Sequence, residues 1–138
     1  YESNEETVML DDEINYLQNY IELQKLRFKE NVYVDLKVSI DEHDHRIMPL
    51  LLISFLENAF KHGISTDAAK PIRITIHVHE GRLHFKAENA KSHVNKDQTK
   101  GVGLTNLRRR LQLGYPGRHT IEIIETDDYY TGELFLYL

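Results

Sequence analysis

The spacing of hydrophobic positions changes along the chain, and the changes divide it into elements. Leu10, Ile14, Leu17, Ile21 and Phe28 recur at intervals of three, four or seven, and Tyr16, Tyr20 and Leu23 widen the stripe. This predicts an amphipathic helix from Leu10 to about Lys29, lying on a core. Asp11, Asp12 and Glu13 suit the positive end of its dipole. Val32, Val34, Leu36, Val38 and Ile40 then alternate with polar residues, which predicts a strand with one wet face. A charged turn, Asp41 to Arg46, leads to Pro49 in the first turn of a second helix, Leu50 to Lys61 or His62, with Gly63 as its stop. After Pro71, Ile72, Ile74, Ile76 and Val78 face one way. A turn at Glu80 and Gly81 leads to a strand with Leu83, Phe85 and Ala87 inward. The same parity puts Asn89, not Glu88, on the inner side. From Ala90 to Lys100 no period survives, which predicts a mobile loop. Leu104, Leu107 and Leu111 form the ridge of a third helix, closed by Gly114 and Pro116. Thr120 to Glu125 and Glu133 to Leu138 read as the last strands, which brings the expectation to five strands and three helices.

The second helix is apolar on nearly every side. At about 100° per residue, Ser54, Glu57, Asn58 and Lys61 fall in one sector, with Leu51, Leu52, Ile53, Phe55, Leu56, Ala59 and Phe60 around the rest. Such a helix belongs in a core, where a polar side chain needs a hydrogen-bond partner, a counter-charge or a ligand. Bonds to neighbouring loops and a ligand site both satisfy that need.

With 138 residues, 41% hydrophobic and 28% charged, the chain has material for one core. The longest apolar run, Ile47 to Phe55, is far short of the ~20 residues of a membrane span. A net charge of -5 argues against general nucleic-acid binding, and the one basic cluster, Arg108 to Arg110, is local. There is no cysteine, hence no disulfide and no thiolate metal site, which fits a reducing compartment. His43 and His45 lie in a charged turn, and His77, His79 and His84 on the polar parity of their strands; both settings favour solvated histidines over metal ligands.

Gly101 and Gly103 stand just before the third helix. Glycines there let a ligand approach the backbone, and a helix start offers unpaired N–H groups and a positive dipole, an arrangement that suits phosphate. Three features combine: an inward Asn and Lys on the second helix, a strand ending in an inward amide, and a loop running into the glycines. An Asn carbonyl can hold a magnesium ion that carries phosphate oxygens, and a Lys one turn later can meet the same charge.

These residues resemble the ATP-binding domain of sensor histidine kinases, within the gyrase, Hsp90, histidine kinase and MutL (GHKL) superfamily of Bergerat fold, and in particular its LytS-like branch. The resemblance rests on three segments in order: LDDEINYLQNYIELQKLRF (Leu10 to Phe28), similar to the branch's linker; LENAFKHGI (Leu56 to Ile64), similar to its N box; and GVGLTNLRRRLQLGYP (Gly101 to Pro116), similar to its G2 box and following helix. It implies an α+β fold: a two-layer α/β sandwich with a mixed, mostly antiparallel sheet of about five strands covered on one face by three helices. Residues 1–29 would be linker and first helix, and residues 30–138 the catalytic domain, one globular unit overall. The resemblance also implies ATP and Mg2+ as cofactors, with Asn58 as the metal ligand. Lys61 and His62 would meet phosphates or ribose. Gly101, Val102, Gly103 and Leu104 would cradle phosphates by their amides, with Thr105 and Asn106 close by. Glu57, Asn58 and Lys61 would be the catalytic group, and the loop from Ala90 to Lys100 the ATP lid.

The chain departs from the family pattern in two places. Asn89 aligns with the adenine-reading Asp, with Glu88 as the alternative, and Lys91 and His93 replace lid glycines; an Asn oxygen accepts from the adenine amino group without charge assistance. Ser54 stands where superfamily ATPases carry a water-activating Glu, which suits a kinase that avoids hydrolysis. None of the eight histidines has the Pro-His-Phe setting of the phosphoacceptor. The expectation is therefore an excised catalytic domain that donates the γ-phosphoryl group to a histidine in a separate upstream region, in the same protein or a dimer partner. A LytTR-type response regulator would be the next partner. The parent would be membrane-anchored and homodimeric, and this domain cytoplasmic. The alternative is a degenerate module of the same fold, with weak or no ATP binding, acting in regulation or interaction. A Ser/Thr kinase of the anti-sigma type is disfavoured by the linker-like first helix.

Overall fold

The regular alternation in the middle of the sequence becomes the middle of a sheet. The computed structural model describes residues 6–28, 32–41, 44–61, 67–91 and 102–138. Along them run β1 (Val8–Met9), α1 (Leu10–Arg27), β2 (Val34–Ile40), β3 (Arg46–Ile47), α2 (Leu51–Lys61), β4 (Ile72–His79), β5 (Arg82–Ala90), α3 (Val102–Gly114), β6 (His119–Glu125) and β7 (Tyr129–Tyr137). The five long strands form one sheet in the order β2-β4-β5-β7-β6, in which only the β2–β4 pair is parallel. Ile72, Ile74, Ile76 and Val78 of β4 and Leu83, Phe85, Ala87 and Asn89 of β5 are buried on one face, as period two requires. Glu80 and Gly81 join these strands with φ of 54° and 77°, the signs of a type I′ hairpin turn.

The helices cover that face. α2 lies over β5 and β7, with α1 and α3 flanking it and α3 reaching β6. Leu10, Ile14, Leu17 and Ile21 of α1 join the same core as Leu51, Leu52, Phe55 and Leu56 of α2. Phe55 meets Phe85 edge-on, with centroids 5.1 Å apart and planes at 82°, a geometry worth about 0.5–1.5 kcal/mol beyond the area buried. The architecture is the expected α+β sandwich: a mixed, mostly antiparallel five-stranded sheet with three helices on one face.

Four local expectations change. The first helix ends at Arg27, with Phe28 extended, rather than at Lys29. The strand assigned to Glu133–Leu138 starts four residues earlier, at Tyr129, and its inner face adds Tyr130 and Gly132. Gly132 does not break the strand. A Cβ there would lie 3.1 Å from Phe55 Cζ and 3.3 Å from the Tyr130 hydroxyl, so glycine admits the close approach of α2. β2 begins at Val34 and sits at the sheet edge, where Val38 is 39% exposed despite its inward parity. Finally, β1 and β3 pair antiparallel as a separate two-stranded sheet at the foot of α1, with Arg46 held to Thr7.

Candidate functional site

α2 carries the centre of the site because its sequence leaves it no other place to go: Leu51, Leu52, Ile53, Phe55, Leu56 and Ala59 are all buried. The four polar residues of its stripe then take different partners. Ser54 is turned back on its own helix, its Oγ donating to the Leu50 carbonyl at 2.8 Å. Asn58 is 5% exposed, and its Nδ2 donates to the Tyr130 hydroxyl of β7 at 2.5 Å. Glu57 is exposed and Lys61 half-buried, and both line a cleft of about 360 Å3 between α1 and α2 with Tyr20, Arg27 and Phe60. Desolvation first, then the Glu57 carboxylate, push the Tyr20 hydroxyl up to about 12. The stripe is thus divided: Asn58 points to the sheet, while Glu57 and Lys61 open toward the first helix.

Asn89 lies on the inner face at the end of β5, 2% exposed, directly opposite Tyr130 in the β5–β7 register. Glu88, the alternative candidate, is on the opposite, uncovered face, its carboxylate 3.8 Å from the Lys86 Nζ. Asn58 and Asn89, 31 positions apart in sequence, thus both adjoin one residue of a third element: Asn58 bonds the Tyr130 side chain, and Asn89 is the register partner of Tyr130. Burial pushes the Tyr130 hydroxyl up to about 12, against smaller lowering effects from the Asn58 bond and the Arg108 charge, so it is a neutral group at ordinary pH.

The expected phosphate-binding element is the start of α3. The helix begins at Val102, immediately after Gly101, so its first N–H groups have no carbonyl one turn earlier to bond. Leu104 is half-buried, and Thr105 and Asn106 are exposed on the first turn. Of the triple arginine, Arg110 donates to the carbonyls of Pro49 and Leu50, just before α2, while Arg108 and Arg109 are exposed. The strand before the expected lid runs through Ala90. Lys91, at the position of a family glycine, is anchored, its Nζ 2.7 Å from Glu125 and its N–H donating to the Asp128 carbonyl. His62, Gly101 and the rest of the expected lid, residues 92–100, lie outside the described residues, as does Gly63.

Sequence reasoning missed Tyr130. The signal for Tyr130 was present: Leu136, Leu134 and Gly132 continue in steps of two to Tyr130.

Comparisons with known proteins bear on the fold and on the kind of protein it resembles. A family model described as histidine kinase matches residues 1–32. Sensor protein kinase HptS of Staphylococcus aureus is 28% identical over 130 residues, taking in 85% of this chain and 25% of HptS. The chain thus spans about a quarter of the length of the curated relatives it matches. Among solved structures, the catalytic domain of histidine kinase ThkA matches with a TM-score of 0.64 at 14% identity, over 96% of this chain and 94% of that one. ThkA in complex with response regulator protein TrrA matches at 0.59, with 14% identity, over 95% of this chain and 41% of that one. Relatives and family model point the same way: the chain is similar in sequence to sensor histidine kinases, and its fold is that of a histidine kinase catalytic domain.

Proposed function

We propose that this domain binds Mg-ATP between α2, the end of β5 and the Gly101–Gly103 turn, and directs the γ-phosphate at a histidine supplied by a separate region. The observation that supports the reading is that two buried amides, Asn58 and Asn89, both adjoin Tyr130 of β7, the first by a side-chain hydrogen bond and the second as its register partner. A single amide oxygen is a meagre metal site by itself. It suits Mg2+, which takes one or two protein ligands and fills its octahedron with phosphate oxygens and water. Asn58 would hold the ion, whose chemistry is to neutralise the charge of the β- and γ-phosphates. Asn89 would accept from the adenine amino group. Gly101, Val102, Gly103 and Leu104 would give their amides to phosphate, with Thr105 and Asn106 at the rim and His62 on the phosphates or ribose; Lys61, which opens toward α1, would reach them by swinging its long side chain out of that cleft. Ser54, bonded to Leu50, activates no water, which favours transfer over hydrolysis. Glu57 would act toward the incoming imidazole from the α1 side of α2. Catalysis of this kind consists mainly of positioning and charge neutralisation.

In the whole protein the acceptor histidine would lie upstream or on a dimer partner, within a membrane-anchored, LytS-like sensor whose catalytic domain is cytoplasmic. Among the described residues no helix is long and apolar enough to cross a membrane. The ThkA–TrrA complex supports a response regulator as the next partner, here of the LytTR type. The test is phosphoryl transfer from γ-labelled ATP to a separately supplied phosphoacceptor region. Acid-labile, base-stable label on that region, lost when its histidine is replaced by Gln, is expected; label on serine or threonine overturns the assignment. Lys91 tied to Glu125 where the family has a glycine favours the second reading, a regulatory module with weak nucleotide binding. Nucleotide titration separates the two.

A further inference from the structure

We infer that Tyr130 is a positioning residue for Asn58: its buried hydroxyl holds the Nδ2 end of the amide and thereby turns the Oδ1 end toward the nucleotide-bound cation. The two ends of an Asn side chain are nearly identical in shape, so packing alone does not choose between them; a tyrosine hydroxyl can accept from one end or donate to the other, and here it accepts from Nδ2. Tyr130 is 2% exposed and Asn58 5%, and the Nδ2-to-hydroxyl bond at 2.5 Å joins them across the α2–β7 contact. Among the described residues no donor meets Asn58 Oδ1. The site is built around the hydroxyl. A Cβ on Gly132 would lie 3.3 Å from it, so the glycine two residues along β7 keeps the space in which it sits. A phenyl ring would fill the same core volume, and a hydroxyl in such a place needs a polar partner. The register also puts Tyr130 directly opposite Asn89, the proposed adenine-binding residue.

The inference rests on the reading of Asn58 as a magnesium ligand, and the experiment keeps the two apart. ATP is titrated into the wild-type chain and Tyr130→Phe by calorimetry, once with excess Mg2+ and once with EDTA. The side-chain amide of Asn58 is followed by 15N NMR without nucleotide, and thermal melts confirm folding. The expected result is a loss of about three- to tenfold in affinity confined to the magnesium titration, the size of one hydrogen bond. In the NMR, the Asn58 Nδ2 protons are expected to exchange slowly in wild type and to lose that protection in the variant. Equal losses with and without magnesium overturn the inference in favour of a role in the fold or the adenine pocket. Tighter magnesium-dependent binding by Tyr130→Phe overturns it too, because the hydroxyl would then have been donating to Oδ1. If wild type binds no nucleotide, the functional reading fails; the amide exchange still decides whether Tyr130 orients Asn58.

Discussion

Glu13 of α1 closes the N-terminus of α2, its carboxylate accepting from the backbone N–H of Leu52 at 3.2 Å and, with its other oxygen, from that of Leu50 at 3.1 Å. An acidic residue in the first turn of one helix thus caps another, across 39 positions of sequence. The first helix, with its linker-like sequence, is therefore bonded directly to the helix that carries Asn58. Glu13 is 3% exposed, and removing it strands two N–H groups. Glu13→Ala is expected to destabilise the fold by about 2–4 kcal/mol, and Glu13→Gln, which keeps one acceptor, by about half as much. Urea melts read this, and a change below about 0.5 kcal/mol for Glu13→Ala would show that water replaces the cap.

Leu50, between that cap and α2, has φ of 62°. A leucine in the left-handed region carries a steric cost of about 1–2 kcal/mol. Its N–H is held by Glu13, and its carbonyl by the Ser54 hydroxyl and Arg110, so the turn is fixed from both sides. The side chain is half exposed and contributes little burial. Leu50→Gly is expected to leave stability unchanged or raise it by up to about 1 kcal/mol, whereas Leu50→Val, β-branched in the same conformation, lowers it. Thermal melts of the two variants make the comparison.

Two glycines make a second contrast. At Gly132 an added methyl meets Phe55 at 3.1 Å and Ile123 at 3.3 Å, both core side chains packed between α2 and the sheet. At Gly114 it meets the terminal methyl of Met48, which can swing aside. Gly132→Ala is expected to cost about 1–3 kcal/mol and Gly114→Ala less than about 1 kcal/mol. Equal effects would mean that β7 shifts more easily than its packing suggests.

Ionisation of the buried tyrosines gives a pH dependence. Tyr130 and Tyr20 are pushed up to about 12 by burial, and Tyr115 is raised for the same reason. Their folded-state values lie above the unfolded value near 10, so the stability they contribute is intact below about pH 10. It is lost between pH 10 and 12, where the unfolded chain gives up protons that the native state retains. Ultraviolet titration of the phenolate band is expected to show a late component near pH 12, part of which disappears in Tyr130→Phe. A single transition near pH 10 with an intact fold would contradict the burial.

Much of this was legible in the sequence because it is local. The period-two runs gave β4 and β5 their buried faces, and carrying the parity one step past Ala87 put Asn89, rather than Glu88, on the inner side. The apolar circumference of α2 marked it as a core helix. What escaped depends on contacts distant in sequence. β1 and β3, with two residues each, are too short to show a period. The edge position of β2 follows from which strands pair, so Val38 keeps its alternation without its burial. Glu13 suited its own helix dipole equally well, and only the approach of α2 reveals its bond. The polar stripe shared one sector on a helical wheel, yet that sector spans the boundary between the sheet and α1. Asn58 and Glu57 therefore fall on different sides of it.

The central claim is that Asn58 and Asn89 form the wall of a magnesium-nucleotide site. Calorimetric titration of Mg-ATP into wild type and Asn58→Ala tests it most directly. The account predicts saturable binding by wild type at or below millimolar nucleotide, and a loss of at least about tenfold in Asn58→Ala that shrinks when EDTA replaces magnesium. No saturable binding by folded wild type at millimolar nucleotide, or identical affinities for the two proteins in magnesium, would contradict it.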